Sequence, residues 1–99
     1  MQRDKGREEA IKRMYGKDLE IYTTLNNPNV NEVTIAEIRF ITPTKNEYKL
    51  TEYLWGGLTT HLILKYKTKD GKGEVRDFER LFHDPILAEY IMMSLISEE

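Results

Sequence analysis

The histidines are the first residues to test for chemistry, and there are two of them, His61 and His83. A metal site needs two or three ligands that converge, and the sequence offers His83 beside Asp84 and Glu79. Neither this spacing nor the surrounding residues support a site, because adjacent His-Asp pairs are more often surface or capping residues. We therefore predict no metal and no cofactor.

The sequence does not support nucleophilic catalysis either. The only serines, Ser94 and Ser97, fall in the last predicted helix, with no histidine nearby in sequence. Seventeen acidic residues make chance carboxylate pairs inevitable, but nothing selects one pair for acid–base work. Gly71-Lys72-Gly73 lacks the spacing and the following Ser or Thr of a phosphate loop. The sequence predicts that the protein is not an enzyme.

Length and composition set the broad class. Ninety-nine residues suffice for one domain, expected to span 1–99, with a single core. A net charge of −2 gives no global attraction to nucleic acid, and the lack of cysteine excludes disulfides. No apolar run approaches the roughly 20 residues of a membrane-spanning helix, and the N-terminus lacks the apolar centre of a signal peptide. A cytoplasmic protein without membrane contact is expected.

The stretch around Trp55-Gly56-Gly57-Leu58 organises the rest of the chain. Glycine accepts the positive φ that a tight hairpin turn requires, so the flanking apolar runs predict a central β-hairpin. Pairing Trp55 with Leu58 sets Tyr53 by Thr60 and Glu52 by His61, and it leaves both faces of the hairpin apolar. Helices usually cover only one face in so short a chain, so we predict a homodimer or a partner protein. The predicted partner surface comprises Tyr48, Leu50, Leu54, Ile63, Met92 and Met93.

The segments before the hairpin predict a helix and a strand. Apolar residues from Ile11 to Leu25 fall at helical spacing and favour one helix over about 4–25. An alternative stays open, in which Gly16 ends the helix and residues 19–25, which also alternate, form a strand. Residues 33–42 predict a strand whose alternation slips near Ala36-Glu37. Either a β-bulge there restores one apolar face, or both faces are partly buried.

The segments after the hairpin complete the fold. Asp70-Gly71 predicts a second turn, followed by a short charged edge strand over 73–78 and one helical turn over 79–83. Asp84 and Pro85 then begin a last helix that is apolar around most of its circumference. The predicted class is α+β, a four-stranded antiparallel meander with an N-terminal and a C-terminal helix, in the order α-β-β-β-β-α. Which sheet face the helices cover stays open.

A cluster of positive charge suggests a second function. From residue 65 to residue 76 there are five positive and two negative residues. A basic β-ribbon of this kind can follow phosphates or enter a DNA groove. Lysines on an edge hairpin also serve to keep that edge soluble, and this interpretation is favoured. The predicted nucleic-acid contacts are Lys65, Lys67, Lys69, Lys72 and Arg76.

The composition and charge pattern of the whole chain resemble those of a known group of proteins. It is short and cysteine-free, has six tyrosines, and combines dense mixed charge near Arg3 with lysine-rich strands such as Ile63-Leu-Lys-Tyr-Lys. In these respects it resembles the small uncharacterised proteins of filamentous and rod-shaped viruses of hyperthermophilic archaea, the lipothrixvirus and rudivirus group. The resemblance implies a thermostable, dimeric viral accessory protein in the host cytoplasm, acting on viral DNA, host transcription or host defence. No motif is shared, so no functional residue is transferred.

The first hypothesis for function is therefore a small, non-catalytic protein that acts as a homodimer or binds a host partner. The alternative is a nucleic-acid-binding protein that uses the basic hairpin over 65–76.

Overall fold

A six-stranded antiparallel sheet with two helices forms the fold. The computed structural model describes residues 2–26, 33–56, 58–69 and 75–98, with backbone alone at 67–69, 75 and 76. Its elements are β1 (Gln2–Arg3), α1 (Lys5–Tyr15), β2 (Glu20–Asn26), β3 (Val33–Ile41), β4 (Glu47–Trp55), β5 (Leu58–Lys69), β6 (Val75–Phe82) and α2 (Pro85–Ser97). Strand order in the sheet equals chain order. The predicted α+β class is confirmed, but the predicted four strands are wrong, because β1 and β2 extend the meander to six.

The preferred single helix over 4–25 is wrong, and the alternative that ends it at Gly16 is correct. Gly16 adopts φ 68°, and its N–H donates to the carbonyl of Lys12 at 2.8 Å. This left-handed cap terminates α1 because glycine adopts positive φ without a Cβ clash. The chain then returns as β2, where Ile21 is fully buried and lies opposite Phe40.

Of the two alternatives left open for residues 33–42, the bulge near Ala36 is wrong and the unbulged strand is correct. The β3–β4 register runs without a break from Val33 opposite Trp55 to Ile41 opposite Glu47. The first apolar residues of β3, Val33 and Ile35, therefore lie on the other face from Ala36, Ile38 and Phe40, and both faces are partly buried.

A register shift occurs instead in the central hairpin. Trp55 pairs with Leu58 as predicted, but Thr60 is an extra residue in β5, and Tyr53 lies opposite His61. The Thr60 hydroxyl donates to the Tyr53 carbonyl at 3.0 Å, a bond that the extra residue makes within the bulge. The predicted pairs of Tyr53 with Thr60 and Glu52 with His61 are therefore wrong by one residue.

The end of the sheet differs from the prediction over 73–83. β6 continues to Phe82, so the helical turn expected over 79–83 is absent and the strand is longer than 73–78. The strand persists because Phe78 and Phe82 lie opposite Tyr66 and Leu62 of β5, and Phe82 is buried in the core. The predicted Asp70-Gly71 turn lies outside the described residues.

Both helices pack on the same face of the sheet. Ile11 of α1 and Met92 of α2 join one core with Ile38, Leu50 and Leu62 of the central strands. The predicted start of α2 is confirmed, since Asp84 accepts from the Ile86 N–H at 2.9 Å and Pro85 is the first helical residue. In the described part of the chain, the opposite face of the sheet therefore carries no helix.

Candidate interaction surface

We call the side of the sheet opposite α1 and α2 the open face. Side chains on a strand alternate between faces, so the open face holds the residues that alternate with the buried ones. Its two ends differ in chemistry. The apolar half comprises Val33, Ile35, Tyr53, Trp55, Leu58, His61, Ile63 and Leu81, and the charged half comprises Glu37, Arg39, Glu47, Lys49, Lys65 and Glu79.

The apolar half presents large side chains to solvent. Trp55 is 53% exposed, Leu81 54% and Leu58 75%. The cross-strand pairs make the patch continuous, because Trp55 lies opposite Leu58 and Ile63 lies opposite Leu81. These residues adjoin one another across β4, β5 and β6 instead of being scattered.

Aromatic stacking holds the centre of the apolar half. The rings of Tyr53 and His61 are 4.3 Å apart at their centroids, with planes 13° from parallel. His61 Nδ1 also lies 3.1 Å from the Thr60 hydroxyl. The carboxylate of Glu52 lies on the helix side of the sheet and accepts from the Thr59 hydroxyl. The predicted cross-strand pair of Glu52 with His61 is therefore not formed.

The basic and acidic side chains of the charged half pair with one another. Arg39 donates twice to Glu47, at 2.5 and 3.0 Å, and this fork lowers the pKa of the Glu47 carboxyl and raises the pKa of the Arg39 guanidinium. Lys49 lies 3.4 Å from Glu37. Each described cation of the charged half thus has a carboxylate within reach, and the surface carries both signs side by side.

The predicted nucleic-acid contacts are only partly described. Lys65 lies 3.8 Å from Glu79 of β6, and both line a trough of about 630 Å³ with Glu47, Lys49 and Asp77. This trough has mixed charge, unlike a phosphate-binding groove. The backbone register sets Lys67 opposite Asp77 and Arg76 opposite Thr68. The side chains of Lys67, Lys69 and Arg76, and all of Lys72, lie outside the described residues.

The predicted partner surface divides between the two sides of the sheet. Tyr48, Leu50, Met92 and Met93 are buried in the core of the chain itself, and Leu54 is partly buried on the helix side. Ile63 is the member that the structure places on the open face. Sequence reasoning put Trp55 and Leu58 on the same face as Leu62 and Leu64, because it did not allow for the extra residue Thr60. The Thr59-Thr60 repeat before His61 gives no sign of which residue is unpaired.

The described residues include neither a metal-binding cluster nor a helix that could cross a membrane. No group of three or more His, Asp or Glu side chains within them could hold a metal ion. Neither α1 nor α2 has the length and apolar character that a membrane span requires. Comparisons with protein family models, with curated protein sequences and with solved structures return no match for this chain.

Proposed function

We propose that this chain is a small non-catalytic interaction protein that binds another protein through the apolar half of the open face. The observation that carries the proposal is the exposure of Trp55, Leu58 and Leu81 on the open face, where no helix of the described residues lies. Soluble monomers rarely leave a contiguous apolar patch of more than a few hundred Å² in water. Tryptophan and tyrosine are also enriched where proteins bind one another.

The exposure of these apolar residues indicates a binding surface and not the ordinary scatter of single apolar side chains. Single exposed apolar side chains are normal on any protein and need no partner. The apolar half is different because Tyr53 stacks on His61 between two further apolar pairs, which joins β4, β5 and β6 into one surface. The charged half beside it supplies the polar rim that bounds a typical interface.

The viral accessory role rests on the sequence resemblance alone. It extends the proposal to a host or viral protein as the class of partner, in the host cytoplasm. The nucleic-acid alternative rests on the basic residues over 65–76, and the described member Lys65 lies beside Glu79. The protein-binding proposal and the nucleic-acid alternative predict different kinds of molecule in contact with the open face in the cell.

Site-specific photo-crosslinking tests the proposal. A photoreactive amino acid at Leu81 of the full chain, in the cell that naturally produces it, should form protein adducts on irradiation. Arg13, exposed on α1 away from the open face, is the matched control position. Protein adducts specific to Leu81 support the proposal. Adducts with nucleic acid at Leu81, or no adducts above those at Arg13, overturn it.

A further inference from the structure

We infer that His61 and His83 together bind one divalent transition-metal ion, such as Zn²⁺ or Cu²⁺, through their Nε2 atoms. His61 belongs to the apolar half of the open face, and His83 follows the last residue of β6. The inference goes beyond the proposed function, because it concerns this chain alone and needs no partner protein. It rests on the register of the sheet and on the hydrogen bonds that both imidazoles make with Thr60.

The register brings the two histidines together, although they lie far apart in the chain. Leu62 of β5 lies opposite Phe82 of β6, and His61 and His83 are the next residues along the two strands in the same direction. Side chains opposite one another on antiparallel strands have Cβ atoms about 4.5–5.5 Å apart. β6 ends at Phe82, but His83 stays beside β5, because its Nδ1 lies 3.3 Å from the Thr60 carbonyl oxygen.

The hydrogen bonds to Thr60 identify which nitrogen of each imidazole carries the hydrogen. The Thr60 hydroxyl has one hydrogen and donates it to the Tyr53 carbonyl at 3.0 Å. It can therefore only accept from His61 Nδ1, which lies 3.1 Å away. His83 Nδ1 faces a carbonyl oxygen, which also can only accept. In the neutral form both rings thus carry their hydrogen on Nδ1 and keep the lone pair on Nε2.

An imidazole in this state is prepared to bind a metal ion. Metal-binding histidines almost always donate the N–H of the other ring nitrogen to a carbonyl or another acceptor, which orients the ring and raises its basicity. Thr60 supplies both acceptors here, its hydroxyl for His61 and its carbonyl for His83. Thr60 is therefore the positioning residue of the site. His83 is exposed and His61 is half-buried, so an ion can reach them from solvent.

The type of ligand determines the class of ion. Imidazole nitrogen suits Zn²⁺, Cu²⁺ and Ni²⁺, whereas Mg²⁺ and Ca²⁺ take oxygen ligands. The described residues provide no group of three His, Asp or Glu side chains for a metal, so the protein supplies two ligands and water completes the coordination. Zinc sites with three or four protein ligands bind more tightly than a site of this kind.

The acidic residues that the sequence places near His83 have other partners. Asp84 accepts from the N–H of Ile86 at the start of α2. Glu79 lies 3.8 Å from Lys65 across the strands. The histidine that the register brings to His83 is thus a better second ligand than either carboxylate.

NMR of the ¹⁵N-labelled full chain tests the inference. At about pH 8, where histidine side chains are neutral, both rings should carry their hydrogen on Nδ1. Addition of Zn²⁺ should shift the Nε2 resonances of both histidines together and saturate at one ion per chain, and Mg²⁺ should shift neither. Shifts of one histidine alone, or saturation at one ion per two chains, overturn the inference.

Isothermal titration calorimetry with Zn²⁺ compares variants of the two ligands. His83→Ala and His61→Phe, which keeps an aromatic ring beside Tyr53, should each weaken binding by about tenfold or more, at least as much as the loss of an outer-shell partner. Glu9→Gln, on the exposed side of α1, is the matched control and should leave the Kd unchanged. Circular dichroism verifies the fold of each variant. Histidine variants that bind Zn²⁺ as tightly as the wild type overturn the inference.

The role of Thr60 has its own pair of variants. Thr60→Ala removes the hydroxyl that accepts from His61 and should weaken Zn²⁺ binding by about tenfold. Thr60→Ser keeps this hydroxyl and should restore the wild-type Kd. A Thr60→Ser variant as weak as Thr60→Ala overturns the positioning role of Thr60.

Discussion

Tyr53 and His61 stack on the open face of the sheet with their ring centroids 4.3 Å apart. The pair exists because Thr60 is unpaired in β5, which moves His61 from a position opposite Glu52 to one opposite Tyr53. A shift of one residue exchanges the faces of every side chain beyond it. The bulge therefore determines that Leu62 and Leu64 enter the core while Ile63 joins Trp55 on the open face.

Deleting one of the two threonines at 59–60 tests the role of the bulge. The shortened hairpin keeps Leu54 opposite a threonine and Tyr53 opposite His61, so every side chain keeps its face. We expect the variant to fold, with a loss in the free energy of unfolding of about 1 kcal/mol for the hydrogen bond from Thr60. Urea denaturation gives this value. Deletion of Ile63 is the control, and it should cost several-fold more, because it moves either Leu62 or Leu64 out of the core. Equal losses would contradict the assigned register.

The cap at Gly16 predicts opposite effects for two glycine substitutions. Gly16→Ala should lower the free energy of unfolding by about 1 kcal/mol, because alanine pays a steric cost at positive φ. No other atom lies within 4 Å of a Cβ added at Gly16, so this cost comes from the backbone alone. Gly6→Ala, inside α1 with only ordinary contact to Asp4, should raise stability by about 0.5–1 kcal/mol. Thermal denaturation of both variants checks the signs, and a destabilising Gly6→Ala with a neutral Gly16→Ala would contradict the helix boundary.

The carboxylate of Glu8 joins the start of the chain to β2. It accepts from the Arg3 side chain and from the Ile21 N–H at 3.2 Å, and the hydrogen bond from Arg3 is the main reason that the pKa of Glu8 is lowered from 4.5. A lowered pKa in the folded state stabilises the fold above the unfolded value, and this stabilisation is lost as pH falls through the folded pKa. Glu8→Gln should therefore cost about 1 kcal/mol at pH 7.

The difference between Glu8→Gln and the wild type should shrink as pH falls below 4.5, the ordinary pKa of this carboxyl. Urea denaturation at pH 7 and at pH 3 measures it. Glu9→Gln, on the exposed side of α1, serves as the control and should change stability by less than about 0.5 kcal/mol at pH 7. A difference that grows in acid would contradict the role assigned to Glu8.

Two methionines allow a buried position to be compared with an exposed one. Met92 is fully buried and Met14 is 68% exposed. Met92→Ala should reduce the free energy of unfolding by about 2–5 kcal/mol, since it leaves a cavity between α2 and the sheet. Met14→Ala should change it by less than about 0.5 kcal/mol. Denaturant titration compares the pair, and a Met92→Ala variant as stable as wild type would mean that α2 does not close this core.

Local chemistry made some elements predictable from the sequence. Asp84 and Pro85 begin α2 because a capping carboxylate and a residue without an N–H suit the first turn of any helix. Gly56, at φ 58°, permits the turn that brings Trp55 opposite Leu58. Both features depend on a few neighbouring residues, so the sequence alone determines them.

Other features depend on distant pairing. Residues 19–25 satisfy both the helical and the strand period, and only the partner strand β3 decides between them. β6 persists through Phe82 because β5 lies beside it. The composition of the open face depends on the parity of one bulge, and without that bulge the sequence groups Ile63 with Tyr48, although the two lie on opposite faces of the sheet. The sequence therefore predicts a second apolar face, but of the predicted surface residues Ile63 alone lies on it.

The meander order of the sheet has a kinetic consequence. From β2 onward each strand hydrogen-bonds to its neighbours in the chain, so the sheet can grow hairpin by hairpin with short loop closures, and such topologies fold quickly. The helix that seals β5 and β6, however, follows the entire sheet in the chain. During synthesis, the sheet is complete while Leu62 and Leu64 still face water. Protection from aggregation at this stage depends on how soon the last thirteen-residue helix leaves the ribosome.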